Sequence, residues 1–234
     1  MVSFARCVLA LASLITVTPS SEAQSVPAAH DAQAWVQFVG VLPVGSQWLV
    51  HTEVQPRWNA DLGRRDQVIL RGGVGRRVGT RATVWAGYGY MPKWQAAGDL
   101  AHEQRSWQQL SLTLPAVGKW RPSLRVRPEQ RFVDAWADRS HRVRAMARTV
   151  RPVGVTRWSF AWSNEYFVTL DGTADGPARG FDQNRVFGGM NYRFSRASTV
   201  EGGYLWQLLP STASAARRHN HTMFVWFNYA PPAR

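Results

Sequence analysis

Thr222-Met223-Phe224-Val225-Trp226-Phe227-Asn228-Tyr229, near the end of the 234-residue chain, sets Met223, Val225, Phe227 and Tyr229 on one face of an extended strand. The alternate positions include Thr222 and Asn228. Successive strand side chains point to opposite sides, so this stretch carries one apolar face and one more polar face. The same texture recurs along most of the chain, in short segments separated by turn-rich breaks. Closed β-barrels are the architecture that places such segments in a bilayer with every backbone hydrogen bond made.

Working outward, eleven segments carry the strand signal: 34–42, 47–59, 65–78, 80–93, 105–115, 120–132, 141–153, 156–170, 181–194, 198–209 and 219–230. In the second, Trp48, Val50, Thr52, Val54 and Trp58 oppose His51, Glu53, Gln55 and Arg57. In the fifth, Leu110, Leu112 and Leu114 oppose Gln109, Ser111 and Thr113. The sixth opposes Leu124, Val126 and Phe132 to Arg125, Arg127, Glu129 and Arg131. The eighth sets Trp158, Phe160, Trp162, Tyr166 and Val168 against Ser159, Ser163, Glu165 and Thr169. A period of two excludes amphipathic helix.

The N-terminus reads as an export signal over residues 1–23. Arg6 supplies a basic start, Cys7 to Val17 an apolar stretch, and Ser21-Glu22-Ala23 a small-residue cleavage site. Cleavage before Gln24 leaves residues 24–234 as one barrel domain and removes Cys7, the single cysteine. That excludes a disulfide framework and a thiolate metal site. No later stretch reaches the ~18 apolar residues of a membrane-spanning helix. The net charge of +13 is nearly all arginine, because Lys93 and Lys119 are the only lysines. Such a balance suits anionic lipid, anionic solute or nucleic acid, and export disfavours nucleic acid. The expected partners are outer-membrane lipids and, during insertion, the barrel-assembly machinery.

Connection lengths carry a second signal. Breaks near 79, 116–119, 154–155 and 195–197 are short, whereas 94–104, 133–140, 171–180 and 210–218 are longer and polar. This alternation matches the periplasmic turns and outer loops of outer-membrane barrels. The fold class expected is therefore all-β, a transmembrane antiparallel up-and-down barrel of about 12 strands, with 10 possible. Eleven segments pose a parity problem, since bacterial barrels usually have even numbers; a missed strand giving twelve is the preferred resolution.

If the apolar face meets lipid, the opposite face encloses a lumen holding Glu53, Arg57, Arg71, Arg125, Arg127, Glu129, Arg131, Arg142, Arg144, Glu165, Arg185, Arg193 and Glu201. Such an array is either a structural network of ion pairs or an anion-attracting constriction. Trp48, Trp58, Trp94, Trp107, Trp120 and Trp158 lie near segment ends, where interfacial girdles form. A basic collar gathers beside the short turns: Arg76, Arg77, Arg81, Lys119, Arg121, Arg151, Arg157, Arg193 and Arg196.

Four ordered motifs are Leu124-Arg125-Val126-Arg127-Pro128-Glu129-Gln130-Arg131-Phe132, Phe181-Asp182-Gln183-Asn184-Arg185, Gly203-Tyr204-Leu205-Trp206-Gln207 and Asn220-His221. In this order and spacing they resemble a bacterial outer-membrane β-barrel family known only as a domain of unknown function. The resemblance runs from about Trp35 to Tyr229 and implies a barrel without implying an activity. The tail Ala230-Pro231-Pro232-Ala233-Arg234 departs from barrels that stop on the last aromatic.

Chemistry finds little support. No Gly-x-Ser-x-Gly motif is present, Ser140-His141 falls in a predicted loop, and Asn220-His221 opens the last segment with no fixed serine partner. His219 and His221 share a face but lack a third ligand at recognisable spacing. Gly72-Gly73-Val74-Gly75 lacks the lysine and helix of a phosphate loop. Neither catalytic residues nor a cofactor nor a metal is expected. The function expected is an integral outer-membrane barrel, sealed or narrowly anion-preferring; the alternatives are a lipid-modifying barrel enzyme and a soluble periplasmic carrier.

Overall fold

The computed structural model describes residues 28–95, 97–173, 176–211 and 216–232; the export segment lies outside the described residues. Eleven strands follow in chain order: β1 (Ala29–Val44), β2 (Trp48–Asn59), β3 (Arg64–Val78), β4 (Ala82–Trp94), β5 (Leu100–Thr113), β6 (Arg121–Val133), β7 (Ser140–Pro152), β8 (Trp158–Thr169), β9 (Gly180–Arg193), β10 (Ser198–Leu209) and β11 (Arg218–Tyr229). Each strand pairs with its chain neighbours, and β1 pairs with β11, so the sheet closes on itself.

All eleven predicted segments are wall strands, and among the described residues the wall has no twelfth. Closure resolves the parity problem differently from the expected even count. Alternating direction through an odd number of strands leaves the first and last running the same way. β1 and β11 accordingly pair in parallel, from Ala29 opposite Arg218 to Gly40 opposite Tyr229, while the other junctions are antiparallel. Parallel pairing has slanted hydrogen bonds and is slightly weaker per residue. Ring packing reinforces it on both faces. Outside, Phe38 stacks on Phe227 at 5.0 Å, and His30 stacks on His219 and His221 at 5.4 and 5.3 Å. Inside, Trp35 meets Phe224 edge-on at 6.2 Å.

Alternation along each strand sorts the two faces. Among the described residues, thirty large apolar or aromatic side chains are exposed, from Phe38 and Val54 to Phe160 and Phe227, whereas ten hydrophobic residues are buried. Glutamates and arginines fill the buried set instead. A water-soluble domain has the reverse arrangement.

The two rims differ. At one rim lie the connections 45–47, 79–81, 114–120, 153–157 and 194–197, together with the end of β11. Gly79 and Gly154 take positive φ (62° and 57°) there, which tightens the turns. The arginines of the predicted basic collar sit at this rim. Arg76 lies over Trp48 and Arg151 over Trp120, 5.7 and 5.6 Å from the ring centroids. The other rim carries 60–63, 95–99, 134–139, 170–179 and 210–217, and the start of β1. Of these, 170–179 and 210–217 are the two longest connections, but 95–99 is shorter than 114–120 on the first rim. β5 begins earlier and ends earlier than the sequence pattern suggests, so the expected strict alternation does not hold.

Candidate functional site

The interior holds an extended charge network whose register brings opposite charges together across neighbouring strands. Glu53 on β2 faces Arg71 on β3, and Arg71 Nη1 donates to Glu53 Oε2 at 2.6 Å. Glu129 on β6 faces Arg142 on β7; Arg142 Nη2 donates to Glu129 Oε2 at 2.6 Å and Arg144 Nη1 to Glu129 Oε1 at 2.9 Å. Arg142 Nη1 continues to Asp182 on β9 at 2.9 Å. Arg144 also donates to Glu165 on β8, which takes Arg125 Nη2 at 2.7 Å. Glu103 on β5 accepts from Arg105 and Arg131, at 2.7 and 2.6 Å. Arg105 Nη1 approaches Glu129 at 3.8 Å and joins the two halves. Arg148 on β7 reaches across to Glu201 on β10, at 2.8 and 2.5 Å in a two-pronged pair. Buried pairs of this geometry recover the solvation each charge gives up, and each partner becomes costly to remove alone.

Beside the network, Trp35, Ala161, Phe187 and Leu205 form an apolar cluster with Val150 and Phe224 packed on it. What remains open is a cavity of about 560 Å³. That is the size of a small-molecule pocket, not of a porin channel. Counting Glu129, buried among them, twelve arginine and lysine residues line it against seven carboxylates, so the interior carries excess positive charge.

The family description "Protein of unknown function (DUF2490)" matches residues 32–218. The chain belongs to the DUF2490 family. An uncharacterized protein of Methylorubrum extorquens is 33% identical to it over 211 residues, covering 88% of this chain and 90% of that relative.

In this DUF2490 barrel, twelve of the thirteen predicted lumen residues line or support the interior. Arg193 does not. It is exposed at the short-turn rim, where its backbone N–H donates to Arg157. Trp107 is a second correction, because it is 1% exposed and faces inward under Arg127, not outward in a girdle. The predicted strand began at 105, which made Trp107 look terminal; β5 begins at Leu100, so Trp107 lies in its middle. Trp48, Trp120 and Trp158 are exposed at strand ends, and Trp58 and Trp94 stand at the opposite rim. Glu103, Arg105, Asp182 and Arg148 are network members that sequence reasoning missed. Glu103 falls in the predicted loop 94–104, whereas Arg148 shares its alternation with Arg142 and Arg144.

Among the described residues, the histidines gain partners but no serine in hydrogen-bond reach. Ser140 is fully buried, and its Oγ contacts Asp171 at 3.5 Å, not His141. His141 Nδ1 pairs with Asp171 Oδ2 at 2.5 Å, and His221 meets His30 and Tyr204. Among the described residues, no group of three His, Cys, Asp or Glu is arranged to hold a metal ion.

Asp171 caps the 170–179 loop by accepting the His141 backbone N–H at 2.6 Å. That bond, then the imidazole bond, lowers its carboxyl pKa below 3.8. A lowered folded-state pKa contributes stability above the unfolded value, and the contribution is lost as pH falls through the folded one. Acidification below about pH 4 is therefore expected to loosen this loop, and Asp171→Asn to do so already at neutral pH. Amide hydrogen exchange at His141 and Leu170 checks this. Unchanged protection in Asp171→Asn refutes it.

Proposed function

We propose that the protein is an integral β-barrel of the bacterial outer membrane whose lumen is latched by its own charge network. It is sealed, or at most passes small anions. The observation that carries the reading is the inverted wall of a closed barrel, with exposed Phe38, Leu70, Val126, Phe160 and Phe227 outside and Glu53, Arg127, Glu129 and Arg142 buried inside. Acyl chains solvate the first set, and the enclosed network satisfies the second.

Further support comes from the rims. A rim bearing a basic collar suits the anionic inner leaflet, and the two longest connections, 170–179 and 210–217, occupy the other rim. A soluble carrier requires the apolar face inward, opposite to the wall described above. A lipid-processing enzyme requires a nucleophile in reach of a histidine, and Ser140 is not.

The test is fractionation of the expressed protein, then reconstitution in planar bilayers. The expected result is co-sedimentation with outer membranes after alkaline wash and almost no current at neutral pH. Any residual current is anion-selective in a salt gradient, because cations line the cavity in excess. Protein that stays folded and dispersed in buffer without detergent overturns the membrane assignment; large cation-selective currents overturn the latch.

A further inference from the structure

Apart from Arg218, exposed at the start of β11, three cavity arginines have no carboxylate within salt-bridge distance among the described residues: Arg57, Arg127 and Arg185. Each donates to a glutamine instead. Arg57 Nε and Nη2 reach Gln55 at 3.2 and 2.7 Å, Arg127 Nε reaches Gln109 at 2.8 Å, and Arg185 Nε reaches Gln183 at 3.1 Å. An amide accepts a hydrogen bond but does not neutralise the charge. The burial cost of a guanidinium is therefore offset only in part.

Two of the three converge. Arg57 and Arg185 lie over the same Trp35 indole, their guanidinium carbons 3.9 and 4.8 Å from its centroid. Trp35 is held in place, since its Nε1 donates to Gln33 Oε1 at 3.1 Å. Arg57 Nη1 and both Nη groups of Arg185 make no hydrogen bond to another described residue, and both side chains line the cavity. Two like charges drawn to one ring, with donors left over, offer the charge and the hydrogen bonds that an oxyanion takes. Beside it, Phe187, Leu205 and Phe224 border the same cavity and supply apolar surface.

We propose that Arg57, Arg185 and Trp35 form a binding site inside the barrel for a small organic acid, its carboxylate held by the two guanidiniums and its apolar body against the Phe187–Leu205–Phe224 side. The paired arginines of the network have their charge balanced by Glu53, Glu103, Glu129, Glu165 and Glu201 and take no part. This site goes beyond membrane residence and does not depend on it, because the cavity lies within the closed wall wherever the barrel sits.

Calorimetric titration of the purified full chain tests it, using protein from whichever fraction contains it, at low ionic strength. Benzoate, acetate and inorganic phosphate are the probes. The expected result is saturable benzoate binding, tighter than that of acetate or phosphate. Arg57→Gln/Arg185→Gln weakens it by about ten- to a hundredfold, the scale of lost charge-assisted hydrogen bonds. Arg193→Gln at the rim leaves it unchanged. The double variant removes charges that lack carboxylate partners, so its thermal midpoint without ligand is expected to equal or exceed the wild type. Benzoate should raise the midpoint of the wild type alone. The single Arg185→Gln variant gives the same comparison should the double variant not fold. Absence of saturable benzoate binding, equal affinity for all three probes, or undiminished binding without these arginines each overturns the site. A soluble barrel that still binds benzoate through them would refute the membrane reading and leave the site standing.

Discussion

Glu129→Ala is expected to lower unfolding stability by about 3–5 kcal/mol, the cost of removing one partner from a buried charge pair. Glu129 is 1% exposed, and its carboxylate is the hub for Arg142 at 2.6 Å and Arg144 at 2.9 Å, with Arg105 at 3.8 Å. Removing it leaves facing cations in a low-dielectric interior with one acid fewer. Arg142 retains Asp182 and Arg144 retains Glu165, so the network is weakened at its centre but not erased. Glu129→Gln keeps the shape and removes the charge, and should cost nearly as much. Combining Glu129→Gln with Arg144→Gln should cost less than the sum of the single changes, because the second removes a charge that the first stranded. Urea unfolding followed by tryptophan fluorescence measures the wild type and the four variants, Arg144→Gln alone included. A loss below about 1 kcal/mol for Glu129→Ala would mean that water already solvates these guanidiniums, and the latch would have to be abandoned. The same variant should pass more current than the wild type in planar bilayers, since the hub holds the side chains that fill the lumen.

The wall was legible because alternation is a local signal repeated many times. Each strand states which of its faces is apolar, and the predicted segments match the observed ones to within a few residues except at β1 and β5. The parallel seam was not legible, because which strand closes a barrel is a non-local event with no marker in β1 or β11 themselves. Interior membership was mostly readable from parity, as for Arg125, Arg127 and Glu129. Pairing was not. Glu53 and Arg57 share a face of β2, yet register places Glu53 opposite Arg71, and Arg57 is left to Gln55 and Trp35. Arg148 and Glu201 lie 53 residues apart and meet only because the lumen is narrow enough to span. Trp107 shows the opposite case: it sits near an apparent strand end, yet the parity it shares with Gln109 is what sets its inward direction. The distribution of free and paired arginines, on which the proposed acid site rests, thus follows from shear and register rather than composition.

The glycines of β3 and β4 yield the second large effect. Gly73, Gly87 and Trp107 stand in one row across β3, β4 and β5, and Trp107 lies flat over both glycines. A Cβ on Gly87 would come within 2.3 Å of the Trp107 ring and also 2.3 Å from the Gly72 carbonyl oxygen. In the neighbouring row, the three atoms nearest a Cβ on Gly75 all belong to the Trp85 ring, at 2.3–2.6 Å. These rows make notches in the wall that seat two indoles, and His51 meets both edge-on at 6.0 and 5.8 Å. The two substitutions should therefore respond differently to removal of the ring. Gly75→Ala is expected to cost about 1–3 kcal/mol as overpacking, and to become nearly neutral in a Trp85→Ala background, where the ring that supplies its three nearest contacts is gone. Gly87→Ala is expected to cost more than about 3 kcal/mol, or to block assembly, because a strand must shift away from its neighbour's backbone. Trp107→Ala should not rescue it, since the Gly72 carbonyl stays where it is. Unfolding midpoints of the two single glycine variants, the two tryptophan variants and the two doubles decide the matter. Full rescue of Gly87→Ala by Trp107→Ala would show that the wall yields and that the indole alone demands glycine; an unrescued Gly75→Ala would show that β3 and β4 are held closer than their side chains require.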